Sequence, residues 1–227
     1  MKLLNPALAL ALLALLGSGC VGPKPVPQAR IQVRISSEPG NAAVFMAGRP
    51  LGETPRALEV ASADELLSMT ATLNQEPVVE KRIRFLSQEQ VEVLFVFGSG
   101  RSTMAKALGL PKILVFDYGA GVTFAVNQAT LKPEFLPLLE RQADLLKTHF
   151  QGLDILVCGH TDAQGSIDFN LSLSLDRVRS VSGDLARRGL PAERMKIQGF
   201  GSQYPVTGND TEQGRAMNRR TELILPQ

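Results

Sequence analysis

The sequence predicts an α/β (α+β) sandwich, a mixed sheet with helices on one side, preceded by a small all-β domain. Three observations carry this. Between residues 30 and 97, short runs of alternating apolar and polar residues are separated by turn residues. Further on, two segments place apolar residues at helical spacing, from Pro133 to about His149 and from Asn170 to Arg188. Between and after them lie short apolar runs at 154–158, 195–198 and 221–225. A strand–helix–strand order of this kind builds a sheet covered by helices.

The chain opens with Met1-Lys2, an Ala/Leu-rich run from Ala7 to Leu16, and Gly17-Ser18-Gly19-Cys20. A basic start, a short apolar run and small residues before a cut site are the parts of a secretory signal peptide, here 1–19. A membrane-crossing helix needs roughly 20 apolar residues, and Asn5-Pro6, Gly17 and Gly19 interrupt this run. Residues 20–29 hold Pro23, Pro25 and Pro27, which make an extended, semi-rigid tether.

From Ile31 the pattern alternates. Ile31, Val33 and Ile35 share one face, Glu38-Pro39-Gly40-Asn41 turns, and Ala42, Val44 and Met46 alternate again. Strand-like runs follow at 69–73, 78–85 and 91–97, and they define a small β-domain over 30–97. Gly98 to Thr103 lacks the Lys-Ser/Thr ending of a phosphate loop and reads as a hinge within a linker, 98–111. Ser102 is placed to cap a short helix through Leu108, ended by Gly109 and Pro111. In the domain over 112–227, Val122 to Val126 reads as a strand. Pro133 opens a helix whose stripe is Phe135, Leu138, Leu139, Leu145 and Leu146, and Gly189 and Pro191 close the second helix.

Composition excludes several classes of function. A net charge of +2 without a clustered basic face gives no footprint for nucleic acid. With no tryptophan and 5% aromatic residues, an aromatic sugar platform is not expected. Cys158 follows Ile155-Leu156-Val157 and reads as a buried thiol, so no disulfide is expected. Of the two histidines, His149 ends a helix, and His160 stands near Asp162 and Ser166. Three such residues within seven positions of one loop do not set up nucleophile, base and orienter. A metal on His160 and Asp162 would want a third ligand at useful spacing. No catalytic residue, metal or cofactor is therefore expected, and the chain does not read as an enzyme.

The functional candidate is the loop Gly159-His160-Thr161-Asp162-Ala163-Gln164-Gly165-Ser166, which runs from a strand end into a helix start, a place that suits an anion. On that helix Asn170, Ser174 and Arg177 share one stripe, with Leu173 beside it. One carboxylate, Asp162, and one guanidinium, Arg177, suit a zwitterion. By spacing alone a plain ion pair between them is the simpler reading.

The wider pattern favours a ligand pocket. Gly159-His160-Thr161-Asp162, Gly165-Ser166, Asn170, Leu173-Ser174, Arg177, Gly199-Phe200-Gly201, Asn209, Gly214-Arg215-Ala216 and Asn218-Arg219-Arg220 resemble the peptidoglycan-binding C-terminal domain of the OmpA/Pal family, over about 112–227. The resemblance implies the OmpA-like C-terminal fold. It also implies that Asp162 and Arg177 grip the diaminopimelate of the peptide stem, with Thr161, Gly165, Asn170 and Leu173 completing the site. Ala125 and Asn127 stand where the family often has aspartates. Arg215, Arg219 and Arg220 read either as a second anion grip or as a structural cluster, and Asn218 as a brace for the loop.

Two further resemblances concern the first half. Ser37-Glu38-Pro39-Gly40-Asn41 through Gly52-Glu53-Thr54-Pro55 resembles the PEGA module, clearest over 30–60. Gly17-Ser18-Gly19-Cys20 resembles a bacterial lipobox, with Gly17 where Leu is usual. That implies lipid (palmitate) on Cys20 and, with Val21 in place of aspartate, the outer membrane, facing the periplasm. The expected protein is an outer-membrane lipoprotein that holds membrane lipid at Cys20 and peptidoglycan at its other end. The alternative is a scaffold whose β-domain engages an envelope protein partner while the wall serves as mooring.

Overall fold

The computed structural model describes residues 30–118, 123–125 and 127–227. The expected signal peptide, Cys20 and the tether lie outside the described residues, as do Val122 and Val126. Among the described residues the chain runs β1 (Ile31–Glu38), β2 (Ala43–Met46), β3 (Arg49–Glu53), β4 (Arg56–Val60), α1 (Ala63–Ser68), β5 (Met69–Thr72), β6 (Val78–Phe85), β7 (Gln90–Phe97) and α2 (Thr103–Leu108). It continues β8 (Ile113–Tyr118), α3 (Leu136–His149), β9 (Ile155–Gly159), α4 (Ile167–Arg187), β10 (Met195–Gly199), α5 (Glu212–Asn218) and β11 (Thr221–Pro226).

The two halves meet in one sheet. Eight strands lie in the order β10-β9-β11-β8-β6-β7-β1-β4, and β3-β2-β5 form a second, smaller sheet. The seam is β6 against β8, parallel, with Glu80 opposite Ile113 and Phe85 opposite Tyr118. The segment read as a linker is folded between them. The Ser102 hydroxyl accepts the Ala105 amide at 3.0 Å to cap α2, and Gly109 ends that helix in the left-handed region at φ 67°.

Strand alternation then places the core. Ile83, Phe85, Leu114, Phe116, Leu223 and Leu225 belong to the main apolar cluster together with Leu138, Leu139 and Leu146 of α3 and Val178, Val181 and Leu185 of α4. The intervening residues Ile113, Val115 and Ile224 face the other way and pack with Met104 and Ala105 of α2 and with Phe200. Helices are therefore not confined to one side of the sheet: a strand apolar on both faces needs cover on both.

The first half is not all-β either. Ser62 and Glu65 form a capping box that starts α1, two turns too short to show a helical period in sequence. Lys81 on β6 donates to the carbonyls of Leu66, Leu67 and Met69 at 2.7, 2.9 and 2.6 Å, which ties the end of α1 to the main sheet. Of the strand expected at 122–126, the described residues show a single bridge, Phe124 with Leu131.

Candidate functional site

The loop leaves β9 at Gly159. A Cβ there would collide with the Ser174 carbonyl oxygen and lie 2.8 Å from Val178 Cγ1, so glycine is what lets α4 pack on the strand end. The His160 amide donates to the Arg220 carbonyl and the Thr161 amide to the Gly201 carbonyl, both at 2.9 Å, which pins the loop's first residues. Gly165 takes φ 94°, and the Ser166 hydroxyl accepts the Phe169 amide at 3.2 Å to start α4. Asn170 Nδ2 donates to the Gln164 carbonyl at 2.9 Å and holds the turn. The buried Thr161 hydroxyl donates to the Asp162 carbonyl at 2.9 Å, and Leu173 is half-buried on α4.

Asp162 and Arg177 do not pair. Asp162 Oδ1 accepts the Gln164 amide at 3.0 Å, and Oδ2 accepts Arg219 Nη1 at 2.7 Å. Arg219 Nη2 in turn reaches Glu212 Oε1 at 2.6 Å. Arg177 is 1% exposed and donates through Nε to the Gln128 carbonyl at 3.0 Å. Its Nη1 and Nη2 approach the carbonyls of His160 and Ala125 at 3.4 Å, and the guanidinium lies 5.1 Å from the centre of the Phe124 ring. Among the described residues no carboxylate lies within ion-pair distance of it. Burial, and then the neighbouring Arg219, lower its pKa to about 10, with Asp162 opposing. A buried guanidinium that meets only carbonyls and a ring face keeps its charge available for a carboxylate.

Other expected participants turn out to shape the loop. The Ala163 amide donates to Asn209 Oδ1 at 3.1 Å and the Gln164 amide to Asp162, so these two amides are already engaged. The buried Asn218 accepts the Val206 and Thr207 amides at 2.9 and 3.2 Å and donates to Asn209 Oδ1 at 3.0 Å; it braces the residue that holds Ala163. The arginine cluster divides. Arg219 is on Asp162, whereas Arg215 serves Glu212 and the Asn209 carbonyl, and Arg220 serves Glu222 and the Tyr204 carbonyl. Asn127 is exposed in a left-handed turn at φ 56°, and its neighbours Ala125 and Gln128 offer main-chain carbonyls to Arg177. The Arg219–Glu212 link is legible only as spacing: residues 212, 215 and 219 stand at i, i+3, i+7, with 212 and 215 on α5 and 219 just past its end.

Residues 123–219 match the OmpA family. "Probable lipoprotein YiaD" of Escherichia coli (strain K12) is 37% identical over 112 residues, 49% of this chain and 51% of its own length. The peptidoglycan-associated lipoprotein of Legionella pneumophila is 34% identical over 101 residues, 44% of this chain and 57% of its own. The crystal structure of the peptidoglycan-associated lipoprotein from Burkholderia pseudomallei is 31% identical with a TM-score of 0.43, covering 46% of this chain and 87% of that one. The chain thus spans about half the length of the curated relatives it matches. Residues 123–219 are thus the part of the chain that is similar to the OmpA family.

Proposed function

We propose that this domain binds peptidoglycan non-covalently and takes the diaminopimelate of the peptide stem between Asp162 and Arg177. The observation that carries the reading is Arg177: among the described residues it is a buried guanidinium without a carboxylate partner, while Asp162 is held by Arg219 and the Gln164 amide. A zwitterion places its carboxylate on Arg177 and its ammonium on Asp162, where it shares or displaces Arg219. Thr161, Gly165 and Asn170 keep the loop in shape, and Leu173 offers apolar wall beside it. The role is binding rather than catalysis: the one histidine of the loop, His160, is buried with its ring stacked on Phe200. The names of the relatives, peptidoglycan-associated lipoproteins among them, support the same reading.

We further read Cys20 as lipidated and the protein as anchored in the outer membrane, facing the periplasm, so that it ties membrane to wall. Several acyl chains suffice, each buried methylene adding about 0.8 kcal/mol. The PEGA-like first half remains the candidate surface for an envelope protein partner.

A sacculus pull-down with the full chain tests the wall reading. Asp162→Asn and Arg177→Lys are each expected to bind about tenfold to a hundredfold more weakly, since a hydrogen bond to a charged group contributes about 1.5–3 kcal/mol. Wild type remaining in the supernatant, or both variants binding like wild type, overturns it. For the anchor, Cys20→Ala is expected to become soluble in the periplasm and to take up no labelled palmitate; a variant that stays with the membrane ends that reading.

A further inference from the structure

What stands behind the ligand loop comes from the first half of the chain. On β6, Arg82 Nε donates to Glu80 Oε1 at 2.7 Å, while its Nη1 reaches Asp117 Oδ2 and Glu222 Oε1, both at 2.6 Å. Arg84 holds Asp117 in a fork at 2.8 and 3.0 Å. Glu222 Oε1 also accepts Arg220 Nε at 2.8 Å, and its Oε2 lies 3.4 Å from His160 Nε2. Asp117 and Glu222 are wholly buried.

Around His160 the cluster leaves several polar atoms over, and the imidazole meets Glu222 only at 3.4 Å. Both His160 ring nitrogens, Arg220 Nη1, Thr221 Oγ1 and Glu222 Oε2 are buried without a hydrogen-bond partner in the protein. The imidazole is stacked on Phe200, 5.5 Å between centres. Its main chain is the joint of the site, with the amide on the Arg220 carbonyl and its own carbonyl facing Arg177 Nη1.

We propose that Arg82 is a positioning residue for the ligand loop: by holding Glu222 across the sheet it fixes His160, and with it the main chain that Arg177 approaches. The inference rests on the wall-binding reading of that loop. The charges balance, with Arg82, Arg84 and Arg220 against Glu80, Asp117 and Glu222. Without Arg82 one buried carboxylate is uncompensated, and His160 is the group beside Glu222 able to take a proton, because burial pushes the nearby Cys158 thiol up and keeps it neutral. In the intact protein burial holds the His160 imidazole below its ordinary value, with Arg220 and Arg82 adding to this and Glu222 opposing. Burial alone would raise Glu222, yet Arg220, Arg82 and His160 hold it well below the carboxylate range.

The test follows the His160 imidazole by NMR titration in the full chain carrying His149→Gln, which leaves one histidine. Wild type is expected to titrate below 6.5. Arg82→Met should raise that value by about one unit or more, and Arg82→Lys should restore most of the difference. In sacculus pull-downs Arg82→Met should lose about tenfold more binding between pH 7.5 and 5.5 than wild type, as an imidazolium forms in the joint. A folded Arg82→Met protein with unchanged His160 titration overturns the proposal. If Arg82→Met does not fold, Glu222→Gln serves: removing that carboxylate must lower the His160 value, and no change overturns the proposal. Failure of wild type to bind sacculi would remove the wall-binding reading, while the titration would still judge the hold of Arg82 on His160.

Discussion

A fragment of residues 110–227 is expected to show no cooperative unfolding transition, although it contains the whole segment that matches the OmpA family. Cutting there removes β6 from β8 and leaves the hydrogen-bonding edge of a wholly buried strand exposed. It also removes both partners of Asp117 and one of the two cations on Glu222. Breaking a buried pair by removing one partner costs about 3–5 kcal/mol. Two such losses are comparable with the whole stability of a domain, about 5–15 kcal/mol. Urea unfolding followed by far-UV circular dichroism decides it: a fragment whose midpoint lies near that of the full chain would show the first half to be dispensable. For the same reason, binding experiments belong on the full chain.

The wholeness of the sheet was the feature least legible in the sequence. The strands β1, β5, β6, β7, β9, β10 and β11 coincide with the apolar or alternating runs, and α3 and α4 with the 3.6-residue stripes, because those signals are local. The pairing of β6 with β8 is parallel and joined by a long crossover, so no turn residue announces it. What announces it is charge. Glu80, Arg82 and Arg84 alternate along β6, and Asp117 and Glu222 each sit in a run otherwise apolar or small. Charged residues are almost never fully buried unless paired, so such positions point to partners on a neighbouring strand. In the site, the loop and both charged residues were legible from residue type. Their partners were not: Arg219 reaches Asp162 from 57 positions away, and Arg177 is held by carbonyls, which every residue carries. The short helices α1 and α5 were missed because one or two turns carry no measurable period.

Gly159→Ala is expected to destabilise the protein by about 3 kcal/mol or more, at or beyond the top of the usual range for overpacking. Gly159 pairs with Gly199 on one side and Thr221 on the other, so the strand end has neighbours in both directions and cannot move aside within the sheet. Above it the obstacle is the main chain of α4: the new methyl would meet the Ser174 carbonyl and stand 3.1 Å from its carbon. Nor can α4 lift freely, since the Ser174 hydroxyl accepts the Gly201 amide at 3.0 Å. Any displacement that does relieve the clash moves Asn170 and Arg177 with the helix, so ligand binding should fall in the fraction that remains folded. Gly183→Ala is the matched control on the same helix. A Cβ there meets nothing within 4 Å, and replacing a helix-interior glycine should stabilise by about 0.5–1 kcal/mol. Urea midpoints should therefore move in opposite directions in the two variants. A Gly159→Ala midpoint equal to wild type would mean that α4 does not press on the strand end, and that the loop owes its shape to its own hydrogen bonds.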